Sequence, residues 1–321
     1  MGLGFTWVRA HARSFWGQPG RGVFGKSRDF FSFREQGFYD LAVMNTALST
    51  DFEMAPKAKP FLKWAGGKTQ LLPEILARIP ERFGRYHEPF IGGGAVFFAL
   101  EPNRAVISDV NETLINTYRC LRDNPQGVMQ HLRKHKAEEE HYYKVRAMDP
   151  AKLTPIKAAA RFIYLNRTCF NGLYRVNRSG KFNVPFGRYS NPTICHTERL
   201  HAVSEALQGV DIRVQSVFDI VSRVRKGDLV YLDPPYDPLT PTASFTSYAK
   251  SPFGKKEQAD LAALFKKLHL KGAHVILSNS DTPYINELYK GFRVDKVWAR
   301  RAINSRADKR GGVTEVLVSN R

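Results

Sequence analysis

The chain has 321 residues, with 49 Lys and Arg against 30 Asp and Glu, and a formal charge of +19. That length allows one large or two ordinary domains with a substantial core, and the charge makes a polyanion the first partner to consider. No apolar run approaches the roughly 18 residues of a spanning helix, and three cysteines without a CxxC pair exclude a disulfide framework and a structural zinc.

Residues 1 to 53 are Arg-rich and acid-poor, without the apolar centre of a secretory signal. They are expected to be a poorly ordered or non-native extension, upstream of a start at Met54. The next stretch, PFLKWAGGKT, ends like a phosphate-gripping P-loop. A P-loop needs a glycine five positions before its second one, and that place holds Leu62. It also needs an apolar strand upstream, whereas MAPKAKP is polar and proline-punctuated. Another ligand must account for these glycines and this lysine.

From Met54 onward, β-rich runs alternate with helical stretches, which predicts an α/β domain with a mainly parallel sheet. The predicted strands are YHEPF, AVISDV, IRVQS, DLVYL and HVILSNS, then RVDKVWAR and TEVLVSN as an antiparallel hairpin across a polar, glycine-containing turn. Between the second and third strands lies an insert, Arg119 to Glu205, too long for one crossover. This divides the chain into 54–118 plus 206–321 around an inserted domain, 119–205.

Three stretches carry chemistry. In EPFIGGGAVFFAL an apolar strand runs into Gly92, Gly93 and Gly94, and a strand-to-helix glycine turn lets a ligand approach the backbone. Asp109 at the end of AVISDV stands where a dinucleotide fold keeps an acid for ribose hydroxyls, although with Glu112 it also reads as a helix capping box. In DLVYLDPPY the strand ends at Asp233, and two prolines then force an extended exit. The turn would present the Asp233 carboxylate and the carbonyls of Pro234 and Pro235 beside the face of Tyr236. Such an array suits a planar ring with an exocyclic amino group. Residues 161–190 hold six basic residues, seven aromatics and no acid, a composition suited to phosphates and to bases.

Taken in order, FLKWAGGKT, EPFIGGGAVFF, SDVN, NRTCFNGLYRVNRSGKFNVPFGRY, YLDPPY and SNSD resemble the Dam-type DNA adenine-N6 methyltransferases. The resemblance covers Met54 to Asn320 and none of residues 1 to 53. It implies a Rossmann-like, S-adenosylmethionine-dependent methyltransferase sheet with an inserted, mainly helical DNA-recognition domain. By that match Trp64, Lys68, Phe90, Gly92, Gly94, Asp109, Asp219 and Asp233 line the cofactor pocket, which gives the opening lysine and glycines their ligand. Asp233, Pro234, Pro235 and Tyr236 are the catalytic set. Lys63, Phe170, Asn171, Leu173, Arg175, Pro185 and Arg188 contact DNA, with Phe170 as the wedge and Leu173, Arg175 and Pro185 reading GATC. Thr168-Cys169 departs from the aromatic and glycine that some members carry.

The expected reaction extrudes adenine from the duplex, holds N6 between Asp233 and the Pro234 carbonyl, and stacks Tyr236 on the ring. Catalysis then rests on positioning and charge stabilisation, with no metal and no nucleophilic Ser or Cys. The expected partner is double-stranded DNA, and the resemblance implies a cytoplasmic, bacterial or phage-encoded monomer, with a restriction endonuclease acting separately. Two readings compete with it. A nonenzymatic DNA- or RNA-binding module would have no use for DPPY beside a glycine-rich site, and a P-loop ATPase would bind ATP through Lys68.

Overall fold

The structure, a computed structural model, describes residues 57–177, 179–238, 253–300 and 312–321. The expectations for residues 1–53 and for the turn at 301–311 lie outside the described residues. The other predicted strands are all present: β1 (Tyr86–Glu88), β2 (Ala105–Asp109), β3 (Asp211–Val214), β4 (Leu229–Leu232), β5 (His274–Ser280), β6 (Arg293–Arg300) and β7 (Gly312–Ser319). They form one seven-stranded sheet in the order β3-β2-β1-β4-β5-β7-β6. The first five pair in parallel, and β7 pairs antiparallel with both β5 and β6.

Side-chain alternation explains why the sheet is covered on both faces. Leu229, Tyr231, Ile276 and Leu317 enter one core cluster, whereas Val230, Leu232, Val275, Leu277, Val316 and Val318 enter the other. Successive strand residues point to opposite faces, and a largely parallel sheet buries both.

Helices α1 (Leu72–Leu76) and α2 (Ala95–Leu100) flank β1. The long segment between β2 and β3 folds into α3 (Glu112–Asp123), α4 (Pro125–Leu132), α5 (Glu139–Ala147), α6 (Pro155–Thr168) and α7 (Thr197–Ala206). Their starts are written locally. The side chains of Asn111, Asn124 and Thr154 each accept a backbone N–H of the following turn, and proline follows Asn124 and Thr154 at the first helical position. The cap of α3 is therefore Asn111, two positions closer to the helix than the Asp109 of the Asp109–Glu112 box that the sequence suggested. The opposite face carries α8 (Lys255–Leu270) and α9 (Pro283–Leu288), whose residues Leu261, Phe265, Leu268 and Ile285 join the second cluster.

The strand order positions the site. From β1 the chain steps to β2 on one side, while β4 lies on the other, so the order reverses between β1 and β4. In open α/β sheets the ligand crevice lies beyond the carboxyl ends of the strands at such a reversal. The two segments that leave those ends are Pro89–Gly94 and Asp233–Tyr236.

Candidate active site

The glycine turn after β1 is shaped by close approach. Gly92 has φ +45, and a Cβ there would fall 2.7 Å from Trp64 Cδ1; Gly94 has φ +72, and a Cβ would fall 2.8 Å from the Tyr118 hydroxyl. Any side chain at either position would displace the aromatic wall behind it. The Gly92 N–H donates to Asp109 Oδ2 at 3.3 Å, and the Asn111 N–H to Oδ1 at 3.0 Å. Burial nevertheless dominates, and pushes the Asp109 pKa up to about 6.

Across the reversal, Asp233 leaves β4. Lys68, buried on the turn Lys68–Leu71, pairs through Nζ with Asp233 Oδ1 at 2.8 Å, and the Ser278 hydroxyl donates to the same oxygen at 2.8 Å. Burial raises the Asp233 pKa, and the Lys68 ammonium and Ser278 oppose it. Both bonds fall on Oδ1. Among the described residues no donor reaches Oδ2, and none reaches the carbonyl of the buried residue Pro234. The Pro235 carbonyl differs, because Gln258 Nε2 donates to it at 2.8 Å. Among the described residues Asp233 Oδ2 and the Pro234 carbonyl, neighbours in the chain, thus have no hydrogen-bond donor. Beside them the Tyr236 hydroxyl donates to Glu315 Oε2 at 2.8 Å, and Lys68 Nζ lies 4.7 Å from the Tyr236 ring centroid.

Several supports were hidden in the sequence. Glu88, the last residue of β1, is buried, and the Tyr86 hydroxyl donates to its Oε2 at 2.7 Å. Burial, reinforced by the Asp233 charge against that bond, pushes its pKa up to about 8. Asn279 accepts from the Asp237 N–H and donates to Gln258, so SNSD braces the exit of the proline turn from β5. The pairing of β4 with β5 brings Asn279 to that exit.

The remaining predicted residues fall into two groups. Trp64 stacks on Tyr174 at 5.7 Å between centroids and also meets Phe162. Phe90 packs edge-on against Phe253, at 5.9 Å. Asp219 is exposed on the turn Val217–Ser222 after β3, beside Phe218, an exposed aromatic that the sequence reading passed over. The aromatic directly before the acid was its signal. The Gln215 N–H donates to the Asp109 carbonyl, which ties the start of that turn to the end of β2.

The residues expected to contact DNA, Lys63 apart, lie on one looped segment. Cys169 pairs with Phe186 and Val176 with Phe182 as isolated bridges, and the Phe170 N–H donates to the Pro185 carbonyl at 2.9 Å. Phe170, Asn171, Arg175, Pro185 and Arg188 are exposed there, with Leu173 half-buried. Arg175 donates through Nε to Asn183 Oδ1 at 2.8 Å. Lys63 Nζ lies 4.4 Å from the Tyr189 ring, next to this loop. Not every basic or aromatic residue of the segment faces outward. Arg161 is buried, where its guanidinium donates to the Val145 and Arg146 carbonyls at the end of α5. Phe162 and Tyr164 belong to the core. Cys169 is buried too, and burial pushes its thiol up to about 12, as expected of a packing residue.

The family of the chain is shown by its similarity to known proteins. Residues 64–303 match the D12 class N6 adenine-specific DNA methyltransferases. The chain belongs to that family. It is 44% identical over 270 residues to the type II methyltransferase M1.LlaDCHI of Lactococcus lactis subsp. cremoris, covering 82% of this chain and 95% of that protein. It is 42% identical over 288 residues to the type II methyltransferase M.MjaIII of Methanocaldococcus jannaschii, covering 82% and 99%. The DNA adenine methylase of Escherichia coli K12 is 37% identical over 266 residues, covering 82% and 95%.

For a D12 methyltransferase, DNA is the substrate and S-adenosylmethionine the methyl donor. The residues present suit that cofactor: a half-buried carboxylate, Asp109, faces a glycine turn with no room for a Cβ, and an aromatic wall stands behind it. Among the described residues no group of three or more His, Cys, Asp or Glu side chains is placed to hold a metal, and no helix is long and apolar enough to cross a membrane.

Proposed function

We propose that the protein methylates N6 of adenine within GATC in duplex DNA, after extruding that base from the helix. The observation that carries this reading is the pair of open acceptors on the proline turn, Asp233 Oδ2 and the Pro234 carbonyl, beside the Tyr236 ring. An exocyclic amino group offers two hydrogens, and two acceptors at one turn match it. Holding both hydrogens draws the nitrogen out of conjugation with the ring and exposes its lone pair. Lys68 and Ser278 fix the Asp233 carboxylate on its other oxygen, so its orientation is set before substrate arrives. Tyr236, anchored to Glu315, supplies the stacking face. S-adenosylmethionine, when bound, supplies an electrophilic methyl group on its sulfonium.

Asp109 would accept from the ribose hydroxyls, with Trp64, Phe90, Gly92, Gly94 and Asp219 lining the rest of the cofactor site. Lys68 already pairs with Asp233, which leaves its place in the cofactor pocket secondary in this reading. Phe170 would fill the space of the extruded base, while Leu173, Arg175 and Pro185 read its neighbours. Arg175 is suited to guanine, since its fork can meet O6 and N7 together. Lys63, Asn171 and Arg188 would meet the backbone. Residues 119–205 then serve recognition and 54–118 with 206–321 serve chemistry, in a monomer whose partner endonuclease, if encoded, acts separately.

The test is digestion of DNA from cells expressing the wild-type chain or Asp233→Ala with a nuclease blocked by GATC methylation. Protection by the wild type and none by the variant is expected; protection by the variant would overturn the role of Asp233. Calorimetry with S-adenosylmethionine and with ATP separates the rivals: ATP binding alone would favour the P-loop ATPase, and binding of neither a nonenzymatic module.

A further inference from the structure

One buried amide joins the two halves of this site. Asn166 lies in α6 with 3% of its surface exposed. Its Oδ1 accepts the Lys63 N–H at 2.8 Å, and its Nδ2 donates to the Lys63 carbonyl at 2.7 Å and to the Gly172 carbonyl at 3.0 Å. The amide therefore pairs with the backbone of a residue 103 positions away and with the turn six positions on. The junction is tight: Gly172 has φ +63, and a Cβ there would lie 2.4 Å from the Lys63 Cβ.

The two segments so joined carry different tasks. Lys63 precedes Trp64, assigned above to the cofactor wall. Gly172 precedes Leu173, Tyr174 and Arg175, and Tyr174 stacks on Trp64 with planes 20° apart. The aromatic between the two base-reading candidates thus packs on the cofactor wall, and the Asn166 bracket sets its register.

We propose that Asn166 is a positioning residue that fixes the recognition turn against the cofactor wall, so that cofactor affinity and DNA sequence discrimination depend on the same amide. The inference rests on the function proposed above. A buried amide with every bond to backbone holds geometry that neither segment specifies alone. Displacing the turn would move Leu173 and Arg175 relative to DNA and shift Tyr174 on Trp64.

The experiment compares the full-length wild type with Asn166→Asp, which keeps the shape but turns its donor into an acceptor facing two carbonyls. Tyr164→Phe is the control, because it removes a hydrogen bond from the same helix, to the Lys136 carbonyl, without touching the bracket. S-adenosylmethionine affinity is measured by calorimetry without DNA. Discrimination is measured as the ratio of kcat/KM on the methylated site, found by sequencing DNA from expressing cells, to that on a duplex with one base changed. Asn166→Asp forfeits both Nδ2 bonds, and the expected result is a loss of about tenfold or more in each. Tyr164→Phe should lower the melting temperature and leave both values unchanged. Should Asn166→Asp fail to fold, Gly172→Ala presses on Lys63 from the other side and should give the same paired losses. A folded bracket variant that retains both values within about twofold, whatever its melting temperature, overturns the proposal. A wild type that binds no S-adenosylmethionine overturns the function reading instead, and the role of Asn166 with it.

Discussion

Replacing Lys68 with Met tests whether the Asp233 carboxylate is held ionised by its neighbour. The pair lies 2.8 Å apart, with Lys68 6% and Asp233 20% exposed. At an effective dielectric of about 20, two charges at that distance attract by roughly 6 kcal/mol before desolvation is subtracted. Removing one partner of a buried pair typically costs about 3–5 kcal/mol, and the partial exposure of Asp233 together with the Ser278 bond places this case near the lower end, about 3 kcal/mol. The loss should depend on pH. The Asp233 pKa is already raised in the folded protein, with Lys68 opposing the rise, so it climbs further in the variant. A protonated Asp233 needs no cation, and the variant should therefore lose less at pH 5.5 than at pH 7.5.

Denaturant unfolding of Lys68→Met, Asp233→Asn and the double variant measures the coupling. Asp233→Asn should recover most of the Lys68→Met loss, for an interaction energy of about 2 kcal/mol. Additivity within about 0.5 kcal/mol at pH 7.5 would refute the reasoning, because the two groups would then be stabilised independently.

Glu88 gives a second pH signature. Its pKa rises from 4.5 to about 8 on folding, so the folded state holds the proton more tightly and stability falls as pH rises across that interval. At about 1.36 kcal/mol per pH unit the fall amounts to roughly 5 kcal/mol, and Glu88→Gln should flatten the unfolding profile between pH 5 and 8; an unchanged slope would count against a neutral Glu88. Asp109 titrates near pH 6, so affinity for S-adenosylmethionine should weaken as pH drops below that value, and Asp109→Asn should abolish the dependence in calorimetric titrations. Arg175→Ala should cost about 1–3 kcal/mol of discrimination at one base pair, whereas Arg188→Ala should weaken all duplexes alike and reduce the salt slope by about 1. Binding measured at several salt concentrations separates the two, and a uniform loss in Arg175→Ala would remove it from base reading.

The sequence by itself determined the elements and the chemistry-bearing turns. DLVYL and HVILSNS are expected as strands of a mainly parallel sheet, and β4 and β5 are such strands, with Leu229 and Tyr231 in one cluster and Val230 and Leu232 in the other. Motifs such as GGG and DPPY are legible because backbone constraints act between adjacent residues: glycine at positive φ, and proline without an N–H. Caps were nearly legible. Asn111 was overlooked in favour of Asp109 because both acids and amides cap helices, and only the register of the first turn chooses between them.

Tertiary structure alone decided which groups work together. That Lys68 and Ser278 occupy one oxygen of Asp233 and leave the other open depends on residues 165 and 45 positions apart meeting at the reversal between β1 and β4 and along β5. That Arg161 serves a helix end instead of phosphate, and that Asn166 reaches back 103 residues to Lys63, likewise follow from packing. Composition cannot tell a buried arginine from an exposed one, since burial and bond partners are set by the whole fold. Local patterns fix local backbone; the ionisation and aim of a side chain are fixed by whatever the distant chain places against it.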